Sequence, residues 1–244
     1  MRLARFLARA GLASRRGAGD LLLTGRIAVN GMPPAGPGDR VDLERDRVTL
    51  NGRPLAPLGV SWLAFHKPPG YVTSRRGTAR HRSLFALLPA APRGLLTVGR
   101  LDVYSEGLLL CTTDGDAAHR LMHPRWQVPR TYRVRVTGAL DRAARAALTH
   151  GVPLAGEAPV RPTAWRFRPG SGGGELELEL REGRSRLVRR VVAALGLGTR
   201  RLVRVAYGPI RLGSLGRGRA RPLSAPEIAA LYGAVGLPLP PSFR

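Results

Sequence analysis

The chain has 244 residues, with 40 Lys plus Arg against 16 Asp plus Glu and a formal net charge of +24. An excess of this size, carried almost entirely by arginine, favours a polyanionic partner through phosphate neutralisation and bidentate guanidinium contacts, and nucleic acid heads that class. The single cysteine, Cys111, rules out an internal disulfide. No apolar run reaches the ~18 residues of a membrane span, and the amphipathic amino terminus lacks a signal peptide's continuous apolar stretch. A cytoplasmic protein with one good core and a small second domain is expected.

Leu3, Phe6, Leu7 and Ala10 recur at i, i+3, i+4, i+7 and predict a helix that Gly11 ends. Ser14 is expected to cap a second helix, with Ala18, Leu21 and Leu22 on one face and Gly25 closing it. Ile27 to Val29 then reads as a strand running into an Asn30-Gly31 turn. Arg2, Arg5 and Arg9 lie off the apolar face of the first helix, and Arg15, Arg16 and Arg26 lie near element ends. Together these arginines form a compact basic patch on a small module. Short strands around Val41, Val48 and Leu50 follow, and Pro54 to Gly59 reads as a linker.

Trp62 to Phe65 predicts an apolar strand ending in His66-Lys67-Pro68-Pro69-Gly70-Tyr71. Arg75 to Arg82 is a basic loop that suits phosphate contacts and reads equally well as a solvated surface loop, and Leu84, Leu87 and Leu88 suggest a short helix. Two apolar runs, Leu95 to Val98 and Leu108 to Cys111, then enclose Gly99-Arg100-Leu101-Asp102. A carboxylate on irregular backbone between buried strands sits where catalytic groups are commonly held, although Asp102 could equally cap a turn. Cys111, inside an apolar run, reads as a small core residue.

Asp114-Gly115 turns into a helix bearing Ala118, Leu121 and Met122. His119 and His123 stand i, i+4, but without the intervening Glu of a metalloprotease or a third ligand nearby, and no metal site is expected. Arg130 to Val136 alternates as a strand with Tyr132, Val134 and Val136 on one face. Residues 140–153 read as helical. Trp165 to Phe167 and Glu175 to Leu180 predict a hairpin around a flexible glycine loop at 170–174. After Glu182-Gly183-Arg184-Ser185-Arg186 comes a helix with Leu187, Val188, Val191, Val192 and Leu195 inward and Arg186, Arg189 and Arg190 on other faces. Leu202 to Tyr207 is a further strand, Ser224 and Glu227 form a capping box for a last helix, and the Pro-rich end reads as a loose tail.

Taken together, these motifs resemble a known family. Ala-Gly-x-x-Ser-Arg-Arg followed by Gly-Arg-Ile-x-Val-Asn-Gly is similar to the S4 RNA-binding module. Lys67-Pro68-x-Gly70, Gly99-Arg100-Leu101-Asp102, Arg130-x-Tyr132-x-Val134 and Glu182-Gly183-Arg184-x-Arg186-x-Val188-Arg189-Arg190 resemble the motifs of bacterial RsuA/RluB-type rRNA pseudouridine synthases. The resemblance spans roughly residues 1–232. It implies an α+β architecture: a small S4 domain with its linker (1–58), then a catalytic domain with a mixed, largely antiparallel sheet (59–233), then a tail (234–244).

The resemblance further implies isomerisation of uridine to pseudouridine in ribosomal RNA without cofactor or metal. Asp102 would be the nucleophile, attacking either the ribose C1′ or the uracil C6. Tyr132 would stack on the base and assist proton removal, Arg189 would pair with Asp102, and Arg100 would position the nucleotide. The implied RNA contacts are Arg2, Arg5, Arg9, Ser14, Arg15, Arg16, Arg26 and Asn30 of the S4 module, with Arg184, Arg186 and Arg190 of the catalytic domain. The run from Thr112 to Pro124 favours 23S over 16S rRNA. The protein is expected to act as a monomer, away from membranes, on rRNA that is free or within an assembling subunit. Gly19, Tyr104 and Leu187 depart from the family pattern. The rival reading, a non-catalytic S4-domain assembly protein, has no need for Asp102, Tyr132 and Arg189 in combination. A nuclease would need a carboxylate cluster for Mg²⁺.

Overall fold

The computed structural model describes residues 1–14 and 17–243. Its chain divides into two compact units, one of residues 1–61 with 90–96 and 112–114, the other of residues 62–89, 97–111 and 115 onward. In the smaller unit, helices α1 (Leu3–Arg9) and α2 (Ala18–Leu23) accompany a three-stranded sheet of β1 (Ile27–Val29), β2 (Val48–Leu50) and β3 (Arg53–Pro54). The apolar spacing of α1 works as expected: Leu3, Phe6 and Leu7 are buried with Ala18, Ile27, Val41 and Val48. Val41 contributes to this core from outside any strand. Asn30 and Gly31 both take positive φ, 53° and 82°, and reverse the chain tightly between Val29 and Met32.

Ser14 does not cap α2 in the expected way. Its hydroxyl accepts from the Gly17 N–H at 2.9 Å, and the helix starts one residue later with Gly17 as N-cap and no side-chain cap. The reason is local. The Ser14 hydroxyl serves Gly17, the residue ahead of the helix, and Gly17 and Gly19 weaken the helix start.

The larger unit is built on a nine-stranded sheet. Its strands are β4 (Trp62–Lys67), β5 (Leu96–Thr97), β6 (Glu106–Thr112), β7 (Arg130–Thr137), β10 (Ala164–Gly170), β11 (Gly173–Leu180), β12 (Gly198–Tyr207), β13 (Ile210–Arg211) and β14 (Ala220–Pro222). A separate pair, β8 (Val152–Leu154) and β9 (Glu157–Val160), forms a short hairpin. The main sheet runs β10-β11-β7-β12-β6-β4-β14, with β13 on β12 and β5 on β6. β12 pairs antiparallel with β7 and parallel with β6, which makes the sheet mixed.

Four helices complete this unit: α3 (Gly115–Met122), α4 (Arg142–His150), α5 (Leu187–Ala194) and α6 (Ala225–Ala234). Alternation on β7 buries Tyr132, Val134 and Val136, which pack with Leu176 and Leu178 of β11 and with Leu187, Val188, Val191 and Val192 of α5. The capping box of α6 is present, with the Ser224 hydroxyl and the Glu227 side chain each accepting from the other's backbone N–H. Cys111 is fully buried on β6, and burial pushes its thiol up to about 12, as suits a core residue.

Three expectations are corrected here. Helix α4 stops at His150, because Gly151 takes φ 128° and turns the chain into β8. The glycine run at 170–174 is a tight reversal between paired strands, with Gly170 directly opposite Gly173. A Cβ on Gly173 would lie 2.0 Å from the Val136 carbonyl oxygen, so glycine is required there by close strand approach. The tail, finally, begins anchored: Val235 is fully buried, and the Arg120 guanidinium donates to the Val235 and Gly236 carbonyls at 3.0 Å each. No helix among the described residues is long and apolar enough to cross a membrane.

Candidate active site

Asp102 sits on the loop between β5 and β6, at the mouth of a cavity of about 670 Å³. The loop is short because Gly99 takes φ 76° and the Ser105 N–H closes back on the Asp102 carbonyl at 3.0 Å. Beyond it, Gly107 adopts φ 112° and lets β6 press against β12. A Cβ there would lie 2.3 Å from the Arg204 carbonyl oxygen. Glycine at this position therefore fixes where the strand leaves the Asp102 loop.

Beneath the loop lies Lys67, at the end of β4 and fully buried. Its ammonium donates to the carbonyls of Pro68 (3.1 Å), Asp102 (3.1 Å), Val103 (3.2 Å) and Ser105 (2.9 Å). Burial lowers its pKa from 10.5 to about 8. Asp102 pulls it back up, Arg204 pushes it down and Glu106 raises it. Thr73 adds a second tie, since its hydroxyl donates to the Leu101 carbonyl at 2.8 Å. Glu106, buried at the start of β6, pairs with Arg201 and with Arg217, whose Nε lies 2.8 Å away.

Side chains of β7 and β12 also line the cavity. Tyr132 on β7 is 9% exposed, with Leu178 opposite it on β11 and Arg204 opposite it on β12. Arg204 is 3% exposed. Its Nε donates to the Leu108 carbonyl at 2.7 Å, and its guanidinium carbon stands 5.2 Å from the Tyr207 ring centre. Arg130 flanks the same ring at 4.9 Å and donates to the Tyr207 hydroxyl at 2.9 Å. Thus Asp102, Tyr132, Arg100, Arg184 and Arg186 all line one cavity, with Arg130 and Arg204 contributing further positive charge to it.

Among the described residues, none hydrogen-bonds or ion-pairs with the Asp102 carboxylate. The expected Arg189–Asp102 pair is therefore not formed. Arg189, on α5, instead donates to the Tyr104 carbonyl at 2.9 Å. Burial and neighbouring Arg186 lower its pKa, and the Asp102 charge pulls the other way. Arg189 acts at the loop backbone and reaches the carboxylate only through its field.

Arg184 is held by Glu182, whose carboxylate accepts from Nε at 2.7 Å, and by Glu157 of β9. Glu157 also takes Arg190 at 2.6 Å, so Arg190 serves this cluster and does not line the cavity. Both arginines hold the Glu157 carboxyl below its usual range. Leu187, the departure from the family pattern, is buried and lines the cavity as an apolar wall.

The amino-terminal candidates divide. Arg2 is exposed, and Arg5 and Arg9 are half-buried on α1. Arg26 is exposed and donates to the Asn51 side chain at 3.1 Å. Asn30 uses its amide within the module, donating to Asp46 at 2.8 Å and accepting from the Arg47 N–H at 2.8 Å. With Ser14 committed to Gly17, these two polar side chains shape the module. Arg15 and Arg16 lie outside the described residues. His119 and His123 have ring centres 5.4 Å apart, and no cluster of three metal-ligating side chains occurs among the described residues.

Sequence reasoning quoted Lys67 and Arg130 within motifs but gave no site role to them, to Arg204 or to Glu157. For Arg130 a signal existed, because it shares the inward phase of Tyr132 on β7 and an arginine in that phase needs buried acceptors.

Comparison with known proteins gives a consistent result. A family model described as RNA pseudouridylate synthase matches residues 61–194, and an S4 domain model matches residues 1–48. An uncharacterized RNA pseudouridine synthase of Aquifex aeolicus is 37% identical, covering 100% of this chain and 98% of its own. The ribosomal large subunit pseudouridine synthase B of Salmonella typhimurium is 38% identical over 97% of this chain and 84% of its own. A crystal structure of a pseudouridylate synthase superposes with TM-score 0.66 at 28% identity, covering 95% of this chain and 99% of that one. With its S4 module, mixed sheet and Asp102 cavity, the chain belongs to the RNA pseudouridine synthase family.

Proposed function

We propose that this enzyme converts uridine to pseudouridine in 23S ribosomal RNA, with Asp102 as nucleophile and without a cofactor. The observation that carries the reading is the unpaired Asp102 carboxylate in a cavity walled by Tyr132, Arg100, Arg184 and Arg186. In the reaction the N1–C1′ bond breaks, the uracil turns, and a C5–C1′ bond forms. The C5 proton is lost and N1 gains one, so the product is an isomer. Attack at the ribose C1′ and attack at the uracil C6 both require a carboxylate not already committed to a partner. Tyr132 stacks on the uracil and assists removal of the C5 proton. Arg100, exposed beside the cavity, holds the flipped nucleotide, and Arg189 braces the loop through the Tyr104 carbonyl. Extruding a uridine costs a few kcal/mol, offset by contacts from the basic S4 module and the cavity arginines to phosphate and RNA shape.

The 23S assignment is supported by the large-subunit enzymes of Salmonella typhimurium and Escherichia coli, 38% and 40% identical to this chain. The enzyme is read as a monomer acting on rRNA in the cytoplasm. The test is pseudouridine mapping by carbodiimide modification and primer extension on rRNA from cells with and without the gene. Loss of one 23S stop, restored by wild type and not by Asp102→Asn, is the expected result. Loss of a 16S stop would overturn the substrate assignment. Unchanged stops throughout would favour the assembly-protein reading.

A further inference from the structure

Tyr104 stands two residues beyond Asp102, and its side chain is 65% exposed. Every other Phe, Tyr and Trp among the described residues is mostly covered. Its ring does not line the cavity, although Asp102 and Ser105 on either side do. The backbone beneath it is nonetheless fixed, since Arg189 donates to its carbonyl at 2.9 Å and the Gly70 N–H donates to the Val103 carbonyl at 2.8 Å. An aromatic ring held open to water beside a nucleophile loop is not explained by core packing.

The ring has one aromatic neighbour. His81 meets it with centroids 5.8 Å apart and planes at 88°, an edge contact that covers at most one of its faces. His81 belongs to the basic loop 75–82 and sits in a turn where its N–H reaches the Thr78 hydroxyl at 3.0 Å and its carbonyl accepts from the Thr78 N–H at 2.8 Å. Arg76, Arg80 and Arg82 of that loop are exposed. An open aromatic face with cationic side chains on the adjoining loop has the composition that binds unpaired nucleotides, through base stacking and phosphate contact.

We propose that Tyr104 is a stacking platform for an unpaired base flanking the uridine that enters the Asp102 cavity, with His81 bracing the ring. The platform rests on the assignment of an RNA substrate to that cavity. Stacking accepts any base, because every base has a π-face. The platform therefore selects for an unpaired neighbour beside the target, and hence for a loop or bulge over a continuous helix.

The test uses a short hairpin containing the mapped uridine, with 2-aminopurine on its 5′ or 3′ side. Wild type and Tyr104→Phe should quench the fluorophore on one side, and Tyr104→Ala should not. Tyr104→Ala should raise KM by about tenfold with kcat little changed, Tyr104→Phe should behave as wild type, and His81→Ala should give a smaller rise. The Ala variant keeps the carbonyl that Arg189 uses, and unchanged thermal unfolding checks this. Equal quenching and KM in wild type and Tyr104→Ala would overturn the proposal, as would a Phe variant as impaired as Ala. Quenching by a wild type that forms no pseudouridine would leave the platform standing and refute the reaction assignment instead.

Discussion

The loop that carries Asp102 is tied from inside the protein, and the 182–186 loop that shares its cavity is tied from outside. Under the first, a fully buried ammonium reaches four backbone carbonyls, and Thr73 and Arg189 add hydrogen bonds to the same backbone. Around the second, Glu157, Glu182, Arg184 and Arg190 form an ion-pair cluster that remains open to water. Buried contacts to backbone are insensitive to side-chain rearrangement and to salt. Exposed ion pairs contribute little to stability and are screened. The contrast suits the two roles proposed above: a nucleophile has to be placed to a fraction of an ångström, whereas a wall proposed to meet phosphates gains from arginines that can exchange partners.

The largest effect is expected at the group the rigid loop presents. Asp102→Asn should abolish turnover while RNA affinity stays within a few-fold, because the isostere keeps the contact area. Single-turnover kinetics together with filter binding check both halves. Next comes the anchor itself. Lys67→Met leaves buried carbonyls without donors and should destabilise the fold by about 3 kcal/mol, read by denaturant unfolding, with a collapse in kcat exceeding the loss in RNA affinity. A variant of normal stability and kcat would show that the loop holds its shape unaided.

The pH dependence sharpens the same point. Folding lowers the Lys67 pKa from 10.5 to about 8, so the unfolded chain binds this proton more tightly. The burial penalty is present in full below pH 8 and fades as pH rises towards 10.5, so this group's own contribution to stability improves across that window. Activity should move the other way. A neutral amine has two N–H donors in place of three, so kcat should fall with a midpoint near pH 8, and Lys67→Met should lack that limb. The smallest effect belongs to the exposed cluster. Glu157→Gln removes a carboxylate that competes with phosphate for Arg184 and Arg190, so KM should fall a few-fold at low salt, the change fading at high salt as screening weakens the attraction. An equal effect at both salt concentrations would mean that this wall is as rigid as the other.

Much of the fold could be read from residue patterns. The i, i+3, i+4, i+7 spacing of α1, the alternation of β7, the inward set on α5 and the Ser224–Glu227 box are local, and the structure keeps each of them. What misled were mostly residues whose role is set by distant chain. The glycines at 170–174 have the composition of a flexible linker, yet Gly173 is there because the Val136 carbonyl passes against it. Ser14 is the local exception: it has the right chemistry for a cap, but its hydroxyl serves the Gly17 N–H and α2 takes Gly17 as its N-cap. The resemblance implies an Arg189–Asp102 pair, and a backbone carbonyl takes the Arg189 hydrogen bond instead.

By itself the sequence determined the charge, the main helices and strands and the candidate side chains for the chemistry, because periodicity and turn residues act over a few positions. Only the tertiary structure decided that Lys67 would lie under a loop 35 residues away, that Arg204 would stand opposite Tyr132, and that Glu157 would bridge Arg184 and Arg190. These contacts depend on strand register and on the parallel approach of β12 to β6, which requires glycine at position 107. Register is settled by how whole faces pack, and no local pattern encodes it.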